Sequence, residues 1–396
     1  MTTTTLNPYV TRLDTPAIPL ALSWSGEYDD SYGPLIDLSQ AVPNYAPHSD
    51  LLTSLASAAA SPESCGYGEI QGEPELRRAY AQYISQLYQA EIQSPQIHIT
   101  SGCNQAFFTA LMAVAGQGNT VLMSNPCYFN HEATARMLGI RLKYFDCDAS
   151  QGFLPDIRTI EQAIEDSTKQ PVKVLALVSP NNPTGAIYPP SLLEQLFQLC
   201  KKRGIWLILD ETYREFAPGY PALPHTILQQ PDWQQNFIQL SSFSKTYCIP
   251  GHRLGAVVAG EEVTDAIAKV MDNLQICAPR AAQQALALQM AQLQPWIMKN
   301  NQAIAKRAET FRNILAQFPQ WQIKSIGGYF AYIQHPYPDM NSANVVKIMA
   351  SQYGVLPLPG GFFGSNQEQH LRFAFANADE ATLHLLLDRL QRIQIS

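Results

Sequence analysis

Charge is what this chain has least of. Asp, Glu, Lys and Arg make up 15% of its 396 residues, and the formal net charge is -7. Non-specific nucleic-acid binding needs a basic surface, so that function class drops out. A small anionic ligand stays compatible, because a few local Arg and Lys side chains can hold one. Paired cysteines are missing as well: there are seven Cys, an odd number, and no Cys-x-x-Cys pair. A disulfide framework or structural zinc site is therefore not expected, and a reducing cytoplasm fits best. Apolar runs such as Val174–Val178 and Ile205–Leu209 are too short to cross a bilayer. Met1 to Asn7 is Thr-rich and lacks the basic flank and apolar run of a signal peptide. There is no internal repeat, no low-complexity tract, no Gly-x-Gly-x-x-Gly after a strand and no P-loop. His131-Glu132 is not followed by a second His at metalloprotease spacing, so no metal site is expected.

What is present is an ordinary globular composition, with 46% hydrophobic residues. A chain of 396 residues exceeds one compact core, which predicts two domains. Residues 1 to about 50 carry Pro16, Pro19, Pro34, Pro43 and Pro47 without periodicity and read as an extended arm. From Glu73 the spacing of Leu76, Tyr80, Tyr83 and Leu87 behind Pro74 predicts a helix. Strands are predicted at Gln96–Thr100, Thr120–Met123, Arg141–Phe145, Val172–Val178, Ile205–Leu209, Phe237–Leu240 and Gly255–Ala259. Helices alternate with them at Gln105–Ala115, His131–Leu138, Ile157–Glu165 and Pro190–Arg203. Such alternation predicts an α/β fold with a mostly parallel sheet between helices, whose ligands sit at the strands' carboxyl ends. Ala281–Phe318 reads as long helix, followed by strands at Gly328–Ile333 and Leu371–Phe375 and a last helix from Asp379 to about Ile393. That describes a smaller α+β domain. The expected division is an arm over 1–40, a large domain over 41–285 and a small domain over 286–396.

Four groups of polar residues stand where strands end. The strand Ile205–Leu209 runs into Asp210, and a buried acid is costly without a cation or strong donor. Alone it would equally be a helix cap or a structural ion pair. Phe237–Leu240 leads into Ser241-Ser242-Phe243-Ser244-Lys245, with Arg253 eight residues on. A lysine desolvated beside other cations has a lowered pKa and can attack a carbonyl to form a Schiff base. Thr100-Ser101-Gly102-Cys103-Asn104 opens a helix after a strand, where free backbone N–H groups suit an anion; most such glycines mark plain turns. Ser179-Pro180-Asn181-Asn182-Pro183-Thr184-Gly185 follows a buried strand and would otherwise be a tight turn.

Together these elements resemble the class I/II aminotransferases, the fold-type-I enzymes dependent on pyridoxal phosphate (PLP) and related to aspartate aminotransferase. The resemblance runs from about Leu38 to Arg372, in Asn-Asn-Pro-Thr-Gly, Asp-x-x-Tyr, Ser-x-Ser-Lys with Arg at the eighth place after, and a late Arg. It implies that Lys245 holds PLP as an internal aldimine and shuttles the proton, while Asp210 pairs with the pyridinium nitrogen. Tyr213 and Asn182 would bond the phenolic oxygen of PLP. Backbone at Gly102, Cys103 and Asn104, with Ser242 and Arg253, would hold the phosphate, and Tyr67 would reach it across a homodimer interface. Tyr128 matches the aromatic residue stacked on the ring, and His131 a histidine supporting the acid. Arg372 matches the arginine that grips the substrate α-carboxylate, which orients the Cα–H bond. Without the resemblance, Tyr67, Tyr128 and His131 read as turn or core residues, and Arg372 as a buried ion pair.

The expected activity is transfer of the amino group of an L-amino acid to a 2-oxo acid by a ping-pong route. The chain departs from the family where Ala41, in Leu38-Ser39-Gln40-Ala41-Val42-Pro43, replaces a glycine whose backbone meets the substrate. Tyr32, Tyr45 and Phe362 are candidates for the substrate pocket, and Arg280 is either a second cation near it or a surface or interface residue. Alternatives are a PLP-dependent β/γ-lyase of the same fold, a PLP-binding regulator and a serine acyl enzyme built on Ser242-x-x-Lys245. The last lacks Lys-Thr-Gly and Ser-Asp-Asn partners.

Overall fold

Seven apolar runs pair into one sheet in the computed structural model of the chain, which describes residues 5–167 and 170–394. The spatial order is Ile97–Thr100, Gly255–Val258, Phe237–Ser242, Trp206–Asp210, Val172–Val178, Thr120–Asn125 and Arg141–Asp146. Only Gly255–Val258 runs antiparallel to its neighbours. Alternate residues of the central strands enter two separate cores. Leu175, Leu177, Leu207 and Leu209 face one, while Val174, Ala176, Ile208 and Ile238 face the other. Burial on both faces is why these strands read as continuous rather than alternating hydrophobic runs. All seven sequence-predicted strands exist, with ends shifted by a residue or two.

The helices between them obey local rules. Pro190–Arg203 has proline in its first turn, Lys201, Lys202 and Arg203 in its last, and Gly204 in the left-handed conformation at φ 65°. Proline needs no donor at a helix start, cations suit the carboxyl end of the dipole, and glycine closes it without strain. Pairing registers Val178 with Asp210 and Asp210 with Leu240, so the first two strands end level and Phe237–Ser242 runs two residues further. Side chains that follow them share one edge.

A second, antiparallel sheet holds Leu358–Pro359, His370–Phe373, Phe330–Gln334 and Gln322–Gly327 in that order. Helices Gln294–Leu315, Ser342–Tyr353 and Glu380–Arg392 accompany it. The strand Gln322–Gly327 and the helices Ser49–Ala59, Glu261–Leu274 and Ser342–Tyr353 were not anticipated from the sequence.

The N-terminal segment corrects the expectation of an extended arm. It contains the short helices Pro8–Thr11 and Ala17–Ser23, and Ile36–Asp37 pairs in parallel with Val355–Leu356. Pro16 is the cap of the second helix and Pro19 lies in its first turn, where proline removes no helical hydrogen bond. Prolines that look like breakers are helix starters here.

Candidate active site

The strand ends open onto a cavity of about 310 Å³. It is lined by Asp210, Tyr213, Ser242, Lys245, Arg253 and Arg372, by Asn182, Tyr128, Cys103 and Asn104, and by Ala41. Residues spread over more than three hundred sequence positions thus meet in one place.

Asp210 closes its strand at 4% exposure. Its Oδ1 accepts from the Thr212 backbone N–H at 2.9 Å and from the Thr212 hydroxyl at 2.7 Å. Its Oδ2 lies 3.2 Å from His131 Nε2, and the imidazole is stacked on Phe107 with centroids 3.8 Å apart. Burial alone would raise the carboxyl pKa, but His131 and Thr212 outweigh it and hold the group below the usual carboxylate range. The acid is therefore ionised at neutral pH inside an apolar sheet edge.

Lys245 sits in the single helical turn Phe243–Thr246, whose start is capped by Ser242 Oγ accepting from Ser244 N–H at 3.2 Å. Burial, reinforced by the Arg253 and Arg372 guanidinium groups, lowers its ammonium to about 8. A useful fraction of neutral amine is present near physiological pH.

Gly102 adopts φ +85°, and a Cβ there would collide with the Arg253 guanidinium. Glycine lets the chain turn into the helix Cys103–Val114 while Arg253 lies over the turn, donating to Ser101 O at 3.2 Å and Pro250 O at 3.0 Å. A helix start, a guanidinium and the Ser242 hydroxyl converge here, which is the donor set an anion such as phosphate requires.

Arg372 comes from the second sheet and is 2% exposed. Its Nη1 donates to Asn182 Oδ1 at 2.9 Å, and Nη2 donates to the Ser39 carbonyl. The guanidinium lies between the rings of Phe330 and Phe363, at 4.8 and 5.0 Å. Its Nε has no hydrogen-bond partner among the described residues. Burial lowers its pKa to about 10. A buried guanidinium without a bonded acid, with a donor to spare, fits an incoming carboxylate.

Tyr213 and Tyr128 are in the lining, and burial drives both phenols upward, Tyr128 to about 12. Tyr128 meets His131 edge-on and accepts from Asn130 Nδ2 at 2.8 Å. Burial, followed by the charge of Asp210, likewise pushes the Cys103 thiol well up, so it stays protonated. Tyr67 stands apart from this chain's cavity, 81% exposed.

Three candidates for the pocket are elsewhere. Tyr32 stacks on Tyr353, Tyr45 packs edge-on against Trp296, and Phe362 packs on Trp24. Their places in the lining are taken by Ile18, Val42, Phe129 and the polar Gln40 and Asn130. Val42 and Gln40 flank the flagged Ala41, whereas Ile18 belongs to the unanticipated helix Ala17–Ser23 and carried no signal. Arg280 does not line this chain's cavity: its Nε is 2.7 Å from Glu73 Oε1, and Nη1 donates to the carbonyls of Glu63 and Gly66. Among the described residues no His, Cys, Asp or Glu cluster is arranged to hold a metal, and no helix is long and apolar enough to cross a membrane.

Known proteins share this architecture. The sequence profile of the family "Aminotransferase class I and II" matches residues 29–390. The chain is 28% identical to the aromatic aminotransferase ISS1 of Arabidopsis thaliana, over 90% of this chain and 89% of that protein. It is 27% identical to an aspartate aminotransferase of Sulfolobus acidocaldarius, over 78% of both chains. Among solved structures, a Thermus thermophilus aspartate aminotransferase mutant superposes with TM-score 0.88 at 22% identity, over 98% of this chain and 100% of that one. BacF of Bacillus subtilis superposes with TM-score 0.89 at 22% identity, over 98% of both. The two superpositions establish the fold-type-I architecture, and the profile, spanning nearly the whole sequence, establishes kinship. The chain belongs to the class I and II aminotransferases and is an aminotransferase.

Proposed function

We propose that the chain binds pyridoxal 5'-phosphate through Lys245 and transfers the amino group of an L-amino acid to a 2-oxo acid in two half-reactions. The observation that carries this reading is the meeting, in one cavity, of a lysine lowered to about 8, an ionised buried Asp210 and a guanidinium with an unused Nε donor. When bound, the cofactor supplies an electron sink conjugated to the substrate Cα. Asp210, held ionised by His131 and Thr212, keeps a proton on the ring nitrogen. Tyr213 and Asn182 donate to the ring oxygen. Gly102, Cys103 and Asn104 backbone, Ser242 and Arg253 hold the phosphate, and Tyr67 of this chain reaches the phosphate of a second copy in a homodimer. Tyr128 covers the ring. Arg372 binds the α-carboxylate through Nε and a neighbouring amino group, which fixes the Cα–H bond for proton removal by Lys245 Nζ. Ala41 lines the cavity and would border the substrate.

The partners in this reading are small amino and 2-oxo acids and a second copy of the chain, with neither nucleic acid nor membrane. The division at 1–40, 41–285 and 286–396 belongs to the same proposal. Seven free cysteines fit a cytoplasmic setting.

The test is spectroscopic. Purified protein is loaded with PLP, reduced with borohydride, and the adduct is mapped by peptide mass spectrometry. Loaded protein is then mixed with a panel of amino acids and afterwards with 2-oxo acids. Bleaching by an amino acid and recovery with a 2-oxo acid is the expected result. Release of pyruvate or a thiol without an acceptor would establish a lyase instead, and a protein that stays colourless would sink the reading.

A further inference from the structure

Behind the cavity, on the far side of the segment that follows Asp210, lies a buried charge network that the chemistry above does not use. Arg214, next to Tyr213, donates from Nε to Glu215 Oε1 at 3.0 Å and from Nη2 to Tyr80 Oη at 2.8 Å. Tyr80 Oη is 2.5 Å from Ser241 Oγ, and Tyr83 Oη donates to Glu215 Oε1 at 2.8 Å. The remaining carboxylate oxygen, Glu215 Oε2, accepts from Thr246 Oγ1 at 3.1 Å. All of these groups except the Tyr83 ring are buried, at no more than 4% exposure.

Thr246 shares the four-residue turn Phe243–Thr246 with Lys245. A single helical turn has little intrinsic stability, because nucleation fixes several residues for one hydrogen bond. Something outside the turn must set its place. Glu215 joins that turn to the segment carrying Asp210 and Tyr213, two residues after the latter. We propose that Glu215 and Thr246 are positioning residues for Lys245: their hydrogen bond, braced by Arg214 and Tyr83, fixes where the amine stands relative to Asp210 and Tyr213. Arg214 neutralises Glu215 locally, so the effect on Lys245 is one of placement rather than of direct charge. The inference rests on Lys245 being the reacting amine.

The test compares Thr246→Val, which keeps the shape and removes the hydroxyl, with Thr246→Ser, which restores it. Thr246→Ala is a second variant with the same expectation, should the valine protein fail to fold. The first readout is the rate at which an amine-reactive acylating reagent labels Lys245 in the full chain without PLP, followed by peptide mass spectrometry between about pH 6 and 10. A loosened turn lets water reach the amine, so the labelling midpoint moves from about 8 towards the free-lysine value in Thr246→Val and stays put in Thr246→Ser. The second readout is turnover. Thr246→Val is expected to lose about tenfold in kcat with KM for the amino acid within about twofold, and Thr246→Ser to recover most of it. The proposal is overturned if Thr246→Val matches the parent in both readouts, or if Thr246→Ser is as impaired as Thr246→Val. A parent protein that takes up no PLP would defeat the proposed function, while the labelling midpoints would still decide the tether.

Discussion

Two buried arginines, one on each side of the segment after Asp210, are treated in opposite ways by the fold. Arg214 is enclosed by Glu215, Tyr80, Tyr83 and Tyr88, with the tyrosine rings 5.7–5.9 Å from its guanidinium. Burial works against its charge, but Tyr80 and Glu215 more than offset that and raise its pKa well above the usual value. Arg372 has neutral oxygens for partners, a spare Nε, and a pKa lowered by burial to about 10. The bonds that join Arg214, Glu215, Tyr80, Tyr83 and Thr246 are made throughout, and among the described residues Arg214 Nη1, 4.0 Å from Glu211, is their one group without a hydrogen bond. In the cavity, Arg372 bonds only neutral oxygens and its Nε has no partner among the described residues. A region that holds the fold spends its charges on itself, and a region that works on a ligand keeps them available at some cost in stability.

If that contrast holds, removing a cavity group costs activity and spares stability, and the network behaves in reverse. The largest effect is expected for Lys245→Ala, with turnover down by at least about 10³-fold and no PLP-dependent colour. Its thermal midpoint without PLP should equal or exceed the parent's, because an amine buried against Arg253 and Arg372 is gone. A marked fall in that midpoint would break the contrast.

The next comparison is between the arginines themselves. Arg214→Met leaves Glu215 buried without its cation, and urea unfolding should show a loss of about 3–5 kcal/mol. Arg372→Met removes a cation that has no acid and should change stability by no more than about 1 kcal/mol, although two oxygens lose their donor. Its kcat/KM for amino acids should nevertheless fall by about 10²-fold or more, with PLP affinity held. Equal losses of stability in the two variants would show that the arginines are alike.

His131→Ala is expected to act more gently. It removes the contact at 3.2 Å that helps keep Asp210 ionised, so PLP affinity at neutral pH should fall about tenfold. Equilibrium titration with PLP reads this directly, and the loss should deepen as pH falls, since the Asp210 carboxyl pKa rises in the variant.

The two sides of the segment were also unequally legible in the sequence. Asp210 ends an apolar strand, and Gly102, Lys245 and Asn182 follow others within four residues, so strand periodicity puts them near one sheet edge. Arg372 interrupts an apolar strand, which marks it as unusual wherever it lies. Arg214 and Glu215, by contrast, look like solvated loop charges. Their burial depends on Tyr80 and Tyr83, more than 130 positions away, and nothing local reports that. Ile18 was hidden for a related reason: Pro16 and Pro19 suggested extended chain, although both positions suit a helix start. The aromatic residues Tyr32, Tyr45 and Phe362 do not line this chain's cavity, because side-chain type says little about which of several aromatic clusters a residue joins. Sequence reading is strong where function follows strand ends and weak where partners are distant.

The smallest effect, and the most specific to the cavity, concerns pH. In the folded chain Lys245 titrates at about 8, below its ordinary value of 10.5. The unfolded chain therefore binds the proton more tightly than the folded one. Below about pH 8 both states carry the proton, and the folded state bears the cost of a buried ammonium. Between that pH and 10.5 the folded amine is neutral while the unfolded one is still charged, so unfolding takes up a proton and stability from this group rises with pH. Above the unfolded value the contribution is constant. Other groups titrate in the same window, so the parent alone would not report Lys245. The difference between the parent and Lys245→Met, measured without PLP, cancels them. Lys245→Met should be the more stable protein at about pH 7, and its advantage should shrink as the pH approaches 10. A constant gap across that range would mean that the amine is not held deprotonated by the fold, and the cavity would lose its claim to differ from the network behind it.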